Sequence, residues 1–599
     1  FGSGTLNVET VRGDWPMSWA YYDEPGHRTA LLAGRKGHNG LLQAERLNAW
    51  LTAIDPSAPY PKPEIERGWL ANCWPDHGWG GNRGVVTDSI YEASYLRSQQ
   101  IASELCRDAG RALAARMTGA AAAETPAEAE PLPLMVYNPA GWERTDMVNG
   151  SLTYPASWSG LTIRDAVGRE IPYEITRHDT AARRIELLFR AAGIPSLGYK
   201  VYYASSAGTF AGEARSVAAD SLETEWLKVR FSEAGLASVY DKTTAREVLR
   251  TDKFAGGELV QFTAPGVAWN EYSEVTTADF DRTARHGMKT LRATESPVRY
   301  VVEKEARFPD FTLRQRYILN KGAREVVVET DLLDWQGVPD RELRVVFPMN
   351  LGEEARMSYE VPFGTVELGR DEIDYSNLPE TSECLFVKEY YARDLPFREA
   401  INWVDASSGL HRGGGCLLAS DMTVHLFRDE SDDPVDYPVV QHVLLSSRKS
   451  LAWNPDNWFV QPGDHHYRMA LYPHEGNWRM AYREGMAFNM PLMLYAADGV
   501  ADSTAGGDAG SSQSFLEVDP DHLIFTAVKQ AEDGDGLFVR LYEAEGRYTT
   551  LRLKGFKPFS RVWLTDLLEY NREELEVEAD GTLRLPVKPW QIVNLRLRW

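Results

Sequence analysis

The sequence predicts an α+β multidomain chain, a three-helix bundle followed by a large all-β region of two or three sandwiches. Three observations carry this. Apolar residues recur at helical spacing through the first 118 residues. A low-complexity Ala/Glu/Pro stretch at 119–131 then breaks the pattern. From Leu134 onward the hydrophobic period falls to two, with turn residues every ~8–12 positions. At 599 residues, 43% of them apolar, the chain is long enough for several cores.

The first helix is expected over 27–54, where Leu31, Leu32, Leu41, Leu42, Leu47, Trp50 and Leu51 fall mostly at helical spacing. A short second helix fits 63–73. The third is expected over 88–117, opened by Ser89 with Glu92 three residues on, a capping-box pattern. Ile90, Leu96, Ile101, Leu105 and Leu113 supply its apolar stripe. Short connections between three such helices imply a bundle. Leu134-Met135-Val136-Tyr137-Asn138-Pro139 opens the β region. Strands are expected at 227–231, 324–333, 342–347 and 538–542. Glycine- and Asp-rich punctuation over 499–510 marks a second boundary or a long surface loop.

Net charge is −23, and no dense Lys/Arg cluster interrupts it. A nucleic-acid partner needs a basic face, and so does an anionic membrane surface, so neither is expected. No apolar run approaches the ~18–20 residues of a membrane span. Cys73, Cys106, Cys384 and Cys416 are far apart and form no CxxC pair. Reduced, mostly buried thiols fit this spacing, which leans toward a cytoplasmic setting.

The segment with most chemistry is Trp74-Pro75-Asp76-His77-Gly78-Trp79-Gly80-Gly81, between the second and third helices. Asp and His both ligate metals and both move protons. Glycines allow close backbone approach, and indoles offer flat faces for a sugar ring. The plain alternative is a Pro-led turn with core tryptophans. Asn82 and Arg83 follow, where Arg can fork onto hydroxyls or, equally, close a solvated turn. In the β region, Trp269, Asn270 and Glu271 place an indole beside an amide and a carboxylate, a set that suits hydroxyl recognition or a core Trp with exposed neighbours. His465 and His466 are expected to alternate on a strand, one inward and one outward. His474 is read as stabilising a turn, and the run Asp429-Glu430-Ser431-Asp432-Asp433 as a solvated loop.

Several blocks, taken together and in order, resemble glycoside hydrolase family 38, the α-mannosidase family, in its bacterial or cytosolic-type branch. Val11-Arg12-Gly13-Asp14-Trp15-Pro16 looks like the segment with which that family leaves its catalytic barrel. Gln43-Ala44-Glu45-Arg46 falls on the bundle helix that follows. Val136-Tyr137-Asn138-Pro139-Ala140-Gly141-Trp142-Glu143-Arg144 and Gly235-Leu236 with Val239-Tyr240-Asp241-Lys242 are similar to family β blocks. So are Phe347-Pro348, Tyr359-Glu360-Val361-Pro362-Phe363-Gly364, Trp403-Val404-Asp405, Asp464-His465-His466-Tyr467, Leu471-Tyr472-Pro473-His474-Glu475-Gly476 and Phe488-Asn489-Met490-Pro491-Leu492. Pro589-Trp590-Gln591-Ile592 resembles the family's closing Pro-x-Glu-Ile, with Gln in place of Glu.

The resemblance implies seven segments: 1–20 as the exit of an upstream barrel, 21–118 as the bundle, 119–131 as linker, 132–217 as a first β-sandwich, 218–500 as a galactose-mutarotase-like supersandwich, 501–513 as a loop and 514–599 as a C-terminal β-domain. It implies retaining hydrolysis of α-mannosides or related glycosides with one divalent metal, zinc by ligand type. The nucleophile and general acid are expected in a barrel ahead of Gly13, in the same protein or a separate chain, so no catalytic residue is assigned here. Asp76 and His77 match the family's metal and sugar-binding pair in reversed order. Either could ligate while the other binds substrate, or this branch has lost the metal. Trp79, Arg83, Trp269, Asn270 and Glu271 are the further substrate-binding candidates. The expected partners are a carbohydrate and the barrel, with a homo-oligomer compatible. The alternative is a non-catalytic carbohydrate-binding or scaffolding subunit derived from such an enzyme.

Overall fold

The structure is a computed structural model that describes residues 26–73, 85–118, 131–210, 212, 214–265, 275–352, 354–372, 397–409, 413–447, 449–451, 454–458, 460–497 and 511–599. Three helices come first: α1 (Gly26–Ile54), α2 (Lys62–Asn72) and α3 (Val85–Thr118). The first two match the expected bounds within a residue or so. The third starts earlier, so the Ser89/Glu92 capping pattern lies inside α3 and does not open it.

α1 and α3 run parallel, with α2 antiparallel beside them. Asp55 and Arg116 pair at 2.7 Å near the C-terminal ends of α1 and α3. Gly34, Gly37 and Gly40 face Tyr95, Ser98 and Ala102 in the same order. The backbones approach closely because these positions lack a Cβ. One on Gly37 would sit 2.7 Å from Ser98 Oγ, and one on Gly40 2.8 Å from the Ala102 Cβ.

After the bundle the chain is almost wholly β, as the period-two pattern predicts. The strand Leu132–Asn138 pairs on one side with Gly198–Ser205 and on the other with Met493–Ala496. It is buried on both faces, which is why it reads as a near-continuous apolar run. Leu134 and Val136 pack into the sandwich core with Ile185 and Phe189. Met135 and Tyr137 pack the other way, against the bundle. There Trp50 stacks on Phe515 at 5.2 Å and donates its indole N–H to the Tyr137 hydroxyl at 3.1 Å.

The expected segments 218–500 and 501–513 are crossed by this pairing. Met493–Ala496 and Ser512–Ser514 both join the sheet of the first sandwich. Tyr495 on the returning strand also meets α3. A Cβ on Gly110 would fall 2.1 Å from its ring. Gly110→Ala should therefore lose ~1–3 kcal/mol to overpacking, despite a helix-propensity gain of about 1 kcal/mol. Urea denaturation decides it, since unchanged or raised stability would show that the ring has room.

The large β unit places a ten-stranded sheet and a six-stranded sheet around one core. Leu343, Val345, Phe347, Tyr467, Met469 and Leu471 are among its fully buried residues. The C-terminal domain packs a five-stranded sheet with a three-stranded one. Its core is continuous with that of the bundle. Arg46, wholly buried on α1, ties three units together. It donates to the Pro139 carbonyl at 2.7 Å and the Phe525 carbonyl at 3.1 Å. Among the described residues, no helix is long and apolar enough to cross a membrane.

Candidate functional site at the end of the bundle

The C-terminal end of α2 is fixed by two side chains. Asn72 donates to the Gly34 carbonyl at 2.9 Å, and Ser94 donates to the Ala71 carbonyl at 2.8 Å. The last described turn of α2 therefore lies beside Gly34 and Arg35. A cavity of about 300 Å³ opens at this point, lined by Leu31, Arg35, Asn39, Asn72, Tyr95 and Asn402 among others.

Its far wall comes from the large β unit. Arg35 donates to the Ile401 carbonyl. The Glu360 carboxylate accepts from the Asn402 backbone N–H at 2.9 Å and from its side-chain amide at 3.2 Å. Asn489 donates to Asn402 Oδ1 at 3.0 Å and to the Ser420 carbonyl at 2.9 Å. Asn39 closes the circuit by donating to the Asn489 carbonyl at 3.3 Å. Helix and sheet are thus joined by amides together with the Arg35 guanidinium.

Glu360 is the unusual member. Burial pushes its carboxyl up to about 7, against the Asn402 hydrogen bonds and the Arg35 charge that lower it. It exchanges a proton near neutrality, the property expected of a group at a working site. Nothing in the local sequence around Glu360 marks it for this role. Glu360 and Asn489 lie within blocks that resemble the family, and Asn402 immediately precedes another. Only their convergence in space makes them a set.

The candidates read from the sequence fall out as follows. Asp76, His77, Trp79, Asn82 and Arg83 lie outside the described residues, as do Trp269, Asn270 and Glu271. His465 and His466 alternate as expected. His465 is buried and bonded to the Gln461 carbonyl at 2.7 Å, while His466 is exposed and paired with Asp331 at 2.8 Å.

Two other readings are corrected. His474 does not stabilise a turn. It lies in the strand Gly463–Glu475 with its Nε2 2.6 Å from the buried Asp405 carboxylate. Burial alone would lower its pKa, but the Asp405 charge and hydrogen bond hold it above the ordinary value. The acidic run at 429–433 is not simply a solvated loop. Asp429 is buried against Lys253 at 2.7 Å, and Glu430 pairs with the buried Arg344 at 2.7 Å. Glu430 thus neutralises a cation inside the six-stranded sheet, and Asp429 one in the irregular segment just ahead of it. Of the thiols, Cys106 and Cys416 are buried and Cys73 is exposed.

Two parts of the chain match known family descriptions. Residues 222–386 match the C-terminal domain of glycosyl hydrolases family 38, and residues 522–595 match that family's C-terminal beta sandwich domain. Among characterised relatives, mouse Alpha-mannosidase 2C1 is 30% identical over 141 residues, covering 22% of this chain and 13% of the relative. Alpha-mannosidase G of Dictyostelium discoideum is 28% identical over 159 residues, covering 26% and 14%. The matched stretches are thus well under two thirds of those relatives' length. The crystal structure of an alpha-mannosidase from Enterococcus faecalis V583 superposes with a TM-score of 0.70 at 15% identity, over 97% of this chain and 68% of that one. A second Enterococcus faecalis structure, of a family 38 protein, gives 0.72 at 14% identity, over 98% and 71%.

Proposed function

Since the chain belongs to glycosyl hydrolase family 38, as its C-terminal region, we propose that it is the bundle and β-sandwich portion of a retaining glycoside hydrolase acting on α-mannosides or related glycosides. The observation that carries this is the ordered match at 222–386 and 522–595 within one continuous fold. In this reading the cavity beside Arg35, Asn72 and Asn402 is one wall of the active site. A barrel from outside these residues supplies the two carboxylates of the displacement.

Among the described residues, no group of three or more His, Cys, Asp or Glu side chains is gathered to hold a metal. Asp76 and His77 have the donor chemistry for a divalent metal, zinc by ligand type. Other donors would have to come from beyond the described residues. When bound, such a metal polarises sugar hydroxyls. This chain's own contribution is to fix the C-terminal end of α2 through Asn72 and Ser94 and to offer the Asn402 and Glu360 network as the opposing wall.

The chain from Phe1 to Trp599 should not turn over an aryl α-mannoside by itself. Joined to its barrel, it should do so with retention. There His77→Ala and Asp76→Ala are each expected to lower kcat/KM by about 10–100-fold or more, with little change in melting temperature. Metal content, read by mass spectrometry, should fall in the variant that loses the ligand. Full metal content and full rate in both variants would overturn the assignment. Glycan binding without turnover in the barrel-containing protein would favour the carbohydrate-binding subunit instead.

A further inference from the structure

We propose that the cleft between the large β unit and the C-terminal domain binds a neutral, extended oligosaccharide, gripped by Phe363 and Trp590. The cleft has a volume of about 1220 Å³. That exceeds the ~300–1,000 Å³ typical of a small-molecule pocket, so it has room for several sugar rings.

The two aromatics are presented by the same device. Pro362 and Phe363 form the two-residue turn between the strands Ala355–Val361 and Gly364–Glu367. Pro589 and Trp590 form the turn closed by the Gln591 N–H on the Lys588 carbonyl at 3.1 Å. In that turn the Gln591 side chain accepts from the Lys588 N–H at 2.8 Å. In both turns the residue after proline is left-handed, with φ 62° at Phe363 and 59° at Trp590. Glycine or asparagine is the usual occupant of such a position, because a larger side chain costs ~1–2 kcal/mol there.

Both costly side chains are also left in solvent, Phe363 38% exposed and Trp590 40% exposed. They come from different domains yet line one cleft. A Cβ on Gly364, the residue after Phe363, would lie 3.9 Å from the Trp590 ring. Phe363 packs edge-on to Tyr542 at 5.6 Å and Trp590 lies against Gly546, and each ring, held at backbone expense, keeps an open face for stacking in the same cleft.

The charges in the cleft select what stacks there. Arg370 is paired with Glu367 at 3.0 Å. Arg479 lies over the Trp478 ring at 4.4 Å and donates to the Glu545 carbonyl at 2.9 Å. The lining carries charges of both signs, Arg35, Arg370 and Arg479 against Glu360, Glu367, Asp371 and Glu399, so it does not single out an anion, and the guanidinium groups present planar hydrogen-bonding edges to hydroxyls. Apolar ring faces beside such edges fit a polyol with C–H faces, which is a sugar chain. The cleft also shares Arg35 and Ile401 with the smaller cavity at the end of the bundle. A chain lying in the cleft would therefore point toward that cavity. The choice of mannose as the sugar rests on the family 38 reading, whereas the cleft geometry does not.

The test is calorimetric titration of the chain with α-linked mannohexaose, beside an α-mannobiose control and a phosphorylated mannohexaose. The neutral hexaose should bind at least tenfold more tightly than the bioside, with quenching of tryptophan fluorescence. Phe363→Gly and Trp590→Gly should each weaken it at least tenfold. Their melting temperatures should stay the same or rise, because glycine relieves the left-handed backbone. Loss of stability with unchanged binding would show that the rings are structural joints and overturn the proposal. So would absence of hexaose binding, or preference for the phosphorylated probe. Hydrolysis of a small aryl α-mannoside by the barrel-containing protein should be unaffected by either variant, so the proposed activity and this cleft can fail separately.

Discussion

Arg344→Met is expected to destabilise the chain by ~3–5 kcal/mol, because it removes the buried cation that Glu342 and Glu430 share. Arg344 is 1% exposed in the six-stranded sheet. Its Nε donates to Glu342 at 2.6 Å and its Nη1 to Glu430 at 2.7 Å. Gln441 accepts at 3.2 Å, and the guanidinium lies over the Phe262 ring at 4.7 Å. Burial alone would lower the arginine pKa, but the two glutamates raise it, so the cation persists. Methionine keeps much of the volume and none of the charge. Adding Glu342→Gln and Glu430→Gln should recover part of the loss, because the cost lies in the stranded charges. Urea denaturation of the single and triple variants measures this. A loss below about 1 kcal/mol for Arg344→Met would mean that water reaches both carboxylates.

The second large effect is on pH dependence. His425 and His442 face each other across adjacent strands with Nδ1 atoms 2.6 Å apart, and neither is exposed. One ring must donate and the other accept, which fails once both are protonated, and each proton added also puts a charge in the buried site. Burial lowers the pKa of His442 from 6.5 to about 3. Burial, and then repulsion by His442 and Arg35, lowers that of His425 well below 6.5. The unfolded chain therefore binds more protons than the folded one below pH 6.5. Stability from this pair is complete above that value and is lost as pH falls toward 3. The slope reaches about 1.4 kcal/mol per pH unit for each histidine.

Glu360 and Glu325, both raised to about 7 by burial, act in the opposite sense between 4.5 and 7. The pair is therefore read by difference. His442→Gln should flatten the fall in stability between pH 6.5 and 4.5 relative to wild type. Equal slopes in the two proteins would show that the imidazoles do not titrate as described.

The helices and most strands were legible because each repeats its own burial pattern. Leu41, Leu47 and Trp50 return at helical spacing to one face, and Leu227–Phe231 alternates in and out. The partners were not legible. Nothing in Met493–Ala496 says that it belongs beside Leu132–Asn138, since strand pairing is set by sheet order and not by local pattern. The same holds for the site. Glu360, Asn402 and Asn489 are ordinary residues in their own neighbourhoods and become a network only when the sheet and α1 meet. Asp429 and Glu430 read as surface because their cations, Lys253 and Arg344, lie far away in sequence. His474 read as a turn residue because Gly476 follows it, with φ 71°, while its own partner Asp405 sits on another strand.

The late return of Met493–Ala496 to the first sandwich also bears on synthesis. The edge of Leu132–Asn138 that this strand covers emerges from the ribosome long before its cover does. At about 5–20 residues per second, the wait is tens of seconds. During that time an apolar strand meant to be buried on both faces has one row of backbone donors and acceptors open, a template for pairing between nascent chains. Neighbouring copies on one messenger would compete with the chain's own later strand. Recovery of native protein should therefore depend on translation spacing and holding chaperones more than on the stability of the finished fold.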